Sequence, residues 1–111
     1  MEMTYFYFTP QFFRDRKLKI AIVFVHDTFT FEVWLAGNNK QVQMKYWNFF
    51  KEINWSKYHI PSTTKGVDSI IENILDDAPD FRELDVLTKQ IETETMNFIK
   101  AIENFLSEKY F

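Results

Sequence analysis

Residues 62–66 combine hydroxyl side chains with a lysine, directly before an apolar run whose spacing predicts a helix over 67–75. The segment consists of Ser62, Thr63, Thr64, Lys65 and Gly66. Free N–H groups at a helix N-terminus attract anions, so these residues are candidate ligands for a phosphate or carboxylate. Hydroxyl residues at this position are also common helix caps. The segment is not a Walker A loop, because the first glycine of that motif is absent and Lys65 precedes the segment's only glycine.

Glu32 is an acid among apolar residues on a predicted strand, two positions before Trp34. A carboxylate held in a pocket is a candidate general base or metal ligand. The alternative is an acid that is solvated or paired with Lys19 on an open sheet face. Glu32 and Trp34 are therefore further candidate ligand-binding residues.

The chain contains two histidines, His26 and His59, at the ends of predicted strands. If those ends adjoin, the pair and Asp27 are candidate metal ligands. No metal-ligand spacing motif accompanies them, and we expect neither a metal site nor a cofactor.

Several aromatic residues alternate with basic ones, an arrangement that can stack on a ligand or on single-stranded nucleic acid. Core packing is the alternative explanation. The aromatic residues are Tyr5, Tyr7, Trp34, Trp47, Trp55 and Tyr58, and the basic ones are Arg14, Arg16, Lys17, Lys45 and Lys57.

The sequence lacks the HExxH, nucleophile-elbow and glycine-rich dinucleotide motifs of common enzyme classes. This favours a non-enzymatic domain that binds a small ligand, a protein partner or a second copy. The alternative is a phosphate-ligand protein or enzyme that uses residues 62–66 with Glu32 and a histidine.

A β-hairpin over residues 18–36 must position these side chains, because two β-branched and aromatic runs flank the turn Asp27-Thr28. A two-residue loop pairs Phe24 with Phe31 and Ile22 with Val33 on an apolar face that helices should cover. The opposite face is mixed and carries Glu32. A longer loop is the alternative, with a different register.

Other elements follow from similar patterns. The continuous apolar run 4–8 predicts a central or covered strand, and residues 11–13 a short helical turn capped by Thr9. Residues 40–52 have helical spacing, and residues 55–60 resemble a short edge strand closed by a proline.

A capping-box pattern at Asp80 and Glu83 opens a predicted long helix over 81–107. Its apolar stripe either pairs with a second copy, which gives a homodimer, or is covered by the other helices. Together these elements predict a single α+β domain over 1–111, with a mostly antiparallel sheet of about four strands and three helices on one face.

Charge is unevenly distributed over the chain. Residues 1–60 hold eight basic and five acidic residues (+3), and residues 61–111 hold five and eleven (−6), which sum to the net −3. The acidic half argues against nucleic-acid binding. The chain contains no cysteine, no apolar run long enough to span a membrane and no signal-peptide pattern, so we expect a cytoplasmic protein.

The run from Phe31 to Gln43 with Tyr46-Trp47, His59-Ile60-Pro61, and the run from Gly66 to Ile70 resemble a small family of uncharacterised bacterial proteins. The resemblance covers most of the chain. It implies a bacterial, cytoplasmic source and additional residues before the first strand in relatives, but no activity, catalytic residue or cofactor.

Overall fold

The computed structural model describes residues 2–65 and 67–109. Four strands and three helices follow in the order β1 (Met3–Tyr7), α1 (Gln11–Arg14), β2 (Leu18–Val25), β3 (Thr30–Gly37), α2 (Lys40–Glu52), β4 (Ser69–Asp76) and α3 (Leu84–Lys109). The strands form one antiparallel sheet in the order β1-β2-β3-β4. The predicted α+β class is therefore confirmed.

The central hairpin has the register that its sequence predicts. Phe24 lies opposite Phe31 and Ile22 opposite Val33, and on the other face Val23 lies opposite Glu32. Because side chains alternate between faces, a slip of one residue would expose the apolar set to water.

All three helices contribute side chains to one face of the sheet, called here the helix-covered face. Phe13 of α1, Phe50 of α2 and Phe98 of α3 are fully buried against strand residues of this face, such as Leu35 and Ile71. Most of the apolar stripe of α3 is thus buried within its own chain rather than projecting from it.

The bounds of α2 match the predicted helix over 40–52, and its start is fixed by two residues. The Asn39 side chain accepts a hydrogen bond from the Val42 N–H at 2.9 Å, which satisfies one of the free donors of the first turn. Gly37 lies so close to this turn that an added Cβ would be 2.7 Å from the Gln43 backbone nitrogen. The chain therefore requires glycine where β3 passes into α2.

The predicted helix over 67–75 is wrong, because most of this segment belongs to β4 (Ser69–Asp76), which pairs with β3. Their apolar residues are mostly β-branched isoleucines, which favour strands. A register irregularity between Leu35 and Ala36 leaves Ile70 without a partner, and both Ile70 and Ile71 are fully buried although they are adjacent in sequence. An irregular strand can thus bury apolar residues whose spacing also fits one side of a helix.

The predicted central or covered position of the first strand is also wrong. β1 is an edge strand, and Phe6 and Tyr7 are 59% and 60% exposed. The helix layer lies over β3 and β4 and, through α1, over β2, so it does not cover β1.

Three further local predictions need correction. Residues 55–60 form no strand, although His59 makes an isolated bridge with Glu72 on the outer edge of β4. The long helix begins at Leu84 rather than 81, because the Asp80 carboxylate accepts bonds from the backbone and side chain of Arg82 and forms a turn instead of a capping box. Similarly, Pro10 rather than Thr9 occupies the cap position of α1.

Within the described part of the chain, no helix combines the length and hydropathy needed to cross a bilayer.

Candidate ligand-binding groove on the open sheet face

The face of the sheet opposite the helices, called here the open face, carries the candidate site. Strand alternation places Tyr5 and Tyr7 of β1 on this face, opposite Val23 and Ala21 of β2. Trp34 of β3 lies opposite Ala21 on the other side, so β2 brings the three aromatic side chains to one surface. The Tyr5 and Trp34 rings meet edge to face at 5.7 Å.

A cavity of about 350 Å³, called here the tyrosine cavity, lies at one end of this surface. Its aromatic walls are Tyr5, Tyr7 and Trp34, and residues 36–40 close it where β3 passes into α2. Its charged residues are Lys19, Lys40 and Asp68. Aromatic walls with a few charged groups are the usual lining of a small-molecule site.

A second cavity of about 350 Å³, called here the acidic cavity, lies at the other end and shares Tyr5, Trp34 and Asp68 with the first. Glu32 and Glu72 add two further carboxylates to it. The open face therefore forms a groove with lysines at one end and carboxylates at the other.

Hydrogen bonds hold the two glutamates of the acidic cavity in place. The Trp34 Nε1–H donates to Glu32 Oε1 at 2.9 Å, and the buried Ser69 hydroxyl donates to Glu72 Oε2 at 2.5 Å. Each bond occupies one oxygen of its carboxylate and leaves the other oxygen able to accept further hydrogen bonds.

Charged groups also contact Tyr7 and change the pKa of Tyr5. The Lys19 ammonium lies 4.8 Å from the centre of the Tyr7 ring, within cation–π distance. Burial raises the pKa of Tyr5, and the nearby Asp68 carboxylate and Tyr7 raise that pKa further. The Tyr5 phenol therefore stays protonated to a higher pH than an exposed tyrosine does.

The structure brings two of the sequence-predicted ligand residues, Glu32 and Trp34, together in the groove. It removes the helix N-terminus on which the prediction for residues 62–66 was based, since a strand follows. In this segment the Thr64 carbonyl accepts from Lys40 Nζ at 2.6 Å and the Lys65 N–H donates to the Thr63 hydroxyl at 3.1 Å. Gly66 lies outside the described residues, and Ser62 is exposed.

The two histidines lie in different parts of the sheet. His26 Nε2 is 2.7 Å from the Thr4 hydroxyl of β1, whereas His59 pairs with Glu72 beyond β4. His59 does line a cavity of about 280 Å³ with Glu32 and Glu72. Among residues 2–65 and 67–109, no group of three or more histidines and acids is arranged to hold a metal ion.

The aromatic residues singled out in the sequence divide between the two faces. Tyr5, Tyr7 and Trp34 line the groove, whereas Trp55 and Tyr58 pack on the helix-covered face. Trp47 packs there too, and its Nε1–H donates to the Pro61 carbonyl at 2.8 Å.

Sequence reasoning missed Lys40 and Asp68 as groove residues. Lys40 was assigned only as the first residue of a helix, and Asp68 lay inside the predicted helix over 67–75. A strand predicted in place of that helix would have put Asp68 beside the sheet, next to the face that carries Glu32.

Fold and groove together define a small α+β domain with one helix-covered sheet face and one face that carries an aromatic, charged groove. The sequence matches the family Domain of unknown function (DUF7000) over residues 1–106, and the chain belongs to this family. Neither the comparison with curated proteins nor that with solved structures found a significant match.

Proposed function

We propose that the chain is a non-enzymatic binding domain that holds a small anionic ligand with a flat ring in the tyrosine cavity. The observation that carries the proposal is that Tyr5, Tyr7 and Trp34 share one concave surface with Lys19 and Lys40. The volume of about 350 Å³ lies within the range of ligand pockets in proteins.

The aromatic wall supports the flat part of the ligand. The Tyr5 and Tyr7 rings are parallel within 6°, with centres 6.3 Å apart, and Tyr7 remains 60% exposed. An exposed ring of this kind can stack on a planar group at little cost in conformational entropy, because its own side chain has few rotatable bonds.

The lysines support the anionic part. The Lys19 ammonium lies against the Tyr7 ring. Lys40 begins α2 and also lines the cavity, and its ammonium, which donates one hydrogen bond to the Thr64 carbonyl, has further donors for an anion. The positive end of the α2 dipole adds to the attraction for an anion at this end of the groove.

An enzyme that uses Glu32 with a histidine is the second candidate, because Glu32 and His59 line a common cavity. We rank it below binding, since no residue of the 62–65 segment, which this alternative also requires, lines that cavity.

Titration with three probes tests the binding proposal. Adenosine monophosphate supplies a flat ring and an anion, whereas adenosine supplies the ring alone and inorganic phosphate the anion alone. We expect calorimetry to give the tightest binding for the monophosphate, and Lys19→Gln to weaken that binding about tenfold, equivalent to about 1.4 kcal/mol.

Lys100→Gln is the matched control, because Lys100 is an exposed lysine of α3, on the opposite side of the sheet. Tyr7→Leu should weaken binding of the monophosphate and of adenosine, but not of phosphate. Equal binding by wild type and Lys19→Gln, or no binding of any probe, would contradict the proposal.

A further inference from the structure

The two edges of the sheet differ in their backbone hydrogen bonding. At the β4 edge, the His59 N–H donates to the Glu72 carbonyl at 3.1 Å and the Glu72 N–H donates to the His59 carbonyl at 2.8 Å. At the other edge, no strand from residues 2–65 or 67–109 pairs with the outer side of β1. One edge is thus paired at a single point by its own chain, and the other is open.

The open edge lacks the usual protection against pairing. Edge strands are normally blunted by charged residues, proline or a bulge, but residues 3–8 contain no charge and no proline, and β1 pairs with β2 in regular register. Phe6, Tyr7 and Phe8 are all more than half exposed. Such a continuous apolar run is typical of a strand whose two faces are both covered.

Backbone geometry shows which groups face outward. The Phe8 N–H donates to the Ile20 carbonyl, and the His26 N–H donates to the Glu2 carbonyl, so the even-numbered residues of this segment bond to β2. In an antiparallel pair the intervening residues point their N–H and C=O groups the other way. The free groups of the edge therefore belong to Met3, Tyr5 and Tyr7.

We propose that β1 pairs antiparallel with β1 of a second copy, about a twofold axis at Tyr5. This register places Tyr5 opposite the partner's Tyr5 and Met3 opposite the partner's Tyr7, so that outward groups meet outward groups. The two four-stranded sheets then form one continuous sheet, and β1 acquires the central position that its sequence favours.

The side chains of this pairing are also self-complementary. Phe6 lies opposite the partner's Thr4 and diagonal to the partner's Phe6, within reach of an aromatic contact on the helix side. On the open face, the partner's Met3 lies beside Tyr7, at the wall of the tyrosine cavity. The second copy therefore contributes a residue to the proposed ligand site, although the pairing itself does not depend on ligand binding.

Phe6→Lys tests the pairing by light scattering of the full chain over a range of concentrations. The Phe6 side chain is 59% exposed, so the variant should fold as wild type does, while two lysines near the axis repel each other. We expect a dimer for wild type and a monomer, with half the mass and an unchanged circular dichroism spectrum, for Phe6→Lys.

Val86→Lys is the matched control, since Val86 is 62% exposed on α3 and lies in the helix segment first predicted as a dimer contact. This variant should remain a dimer. Loss of the dimer in Val86→Lys but not in Phe6→Lys would assign the contact to α3 and overturn the proposal, as would a wild-type monomer at all concentrations.

Hydrogen exchange in the wild type gives a second measurement that needs no variant. The pairing predicts protection of the Tyr5 and Tyr7 N–H groups that increases with protein concentration. Rapid exchange of both groups at every concentration would also overturn the proposal.

Discussion

The helix-covered face and the open face of the same sheet differ in what their buried residues contact. On the helix-covered face, Leu35 and Ile71 pack under three helices, together with large aromatic side chains. On the open face, Ala21, Val23, Val25 and Trp34 are buried mainly by Met3 and Tyr5 of the neighbouring strand. The first surface is a packed core, whereas the second leaves a groove.

Residues on the two faces therefore contribute differently to folding and to ligand binding. A residue of the helix-covered face contributes to the free energy of unfolding through dense packing. A groove residue such as Tyr7 retains free surface and contributes little to folding, so its chemistry is available for a ligand. Substitutions on the two faces should therefore have separable effects.

The largest expected effect is that of Phe50→Ala on the helix-covered face. Phe50 is fully buried, and its ring centre is 5.1 Å from that of Trp55 and 5.6 Å from that of Phe105. Truncation should lower the free energy of unfolding by about 3–5 kcal/mol, because it leaves a cavity. Urea denaturation measures the loss.

Tyr7→Ala is the counterpart on the open face and should change stability by no more than about 0.5 kcal/mol, as is usual for an exposed site. Similar losses for Phe50→Ala and Tyr7→Ala would contradict the division between a packed face and a groove.

Gly37→Ala tests the close contact where β3 passes into α2. The added Cβ would be 2.7 Å from the Gln43 backbone nitrogen, so β3 and α2 must move apart. We expect a loss of about 1–3 kcal/mol, typical of overpacking, measured by urea denaturation. Asn38→Ala, at the adjacent exposed residue, is the control and should cost less.

Thr95→Val tests the cost of a buried polar group on the helix-covered face. The Thr95 side chain is buried in α3, and its hydroxyl makes no hydrogen bond to residues 2–65 or 67–109. Replacing an unpaired buried hydroxyl with a methyl group should raise the free energy of unfolding by about 1 kcal/mol. Thr93→Val, at an exposed position of the same helix, should leave stability unchanged, since the two residues have similar helix propensities.

The smallest effect is a pH dependence carried by one tyrosine on each face. Burial raises the pKa of both Tyr5 and Tyr58, with further increases from Asp68 and Glu94 respectively. The unfolded chain therefore ionises first as pH rises. The stability that each neutral phenol contributes is present below the unfolded pKa of about 10 and lost as pH rises through the folded pKa.

Thermal melts between pH 8 and pH 11 measure this loss. Tyr5→Phe and Tyr58→Phe should each reduce the alkaline decrease in melting temperature, and the two reductions should add because the phenols lie on opposite faces. A decrease unchanged by either substitution would contradict the raised pKa values.

Part of the candidate site could be predicted from the sequence. Period-two alternation correctly placed Glu32 and Trp34 together on the less apolar face of the hairpin, as the observed register shows. The role of Tyr5 and Tyr7 in that surface could not be derived, because it depends on which strand pairs with β2. Asp68 was missed because its segment joins the groove only through the β3–β4 pairing.

Local physics determined the hairpin and α2. The alternation from Leu18 to Ala36 allows one register that buries the apolar set, and Asn39 with the helical spacing after it determines where α2 begins. Both elements depend on residues close in sequence. Both form as predicted.

Tertiary structure decided the conformation of residues 69–76. Their apolar spacing satisfies a helix, but β3 offers an edge of unpaired backbone groups, and β-branched isoleucines fit a strand that pairs with it. The hydrogen bonds gained at that edge, together with full burial of Ile70 and Ile71, outweigh a weak local preference. The edge exists only in the folded hairpin, so the isoleucines favour a strand but do not show by themselves which neighbour that strand pairs with.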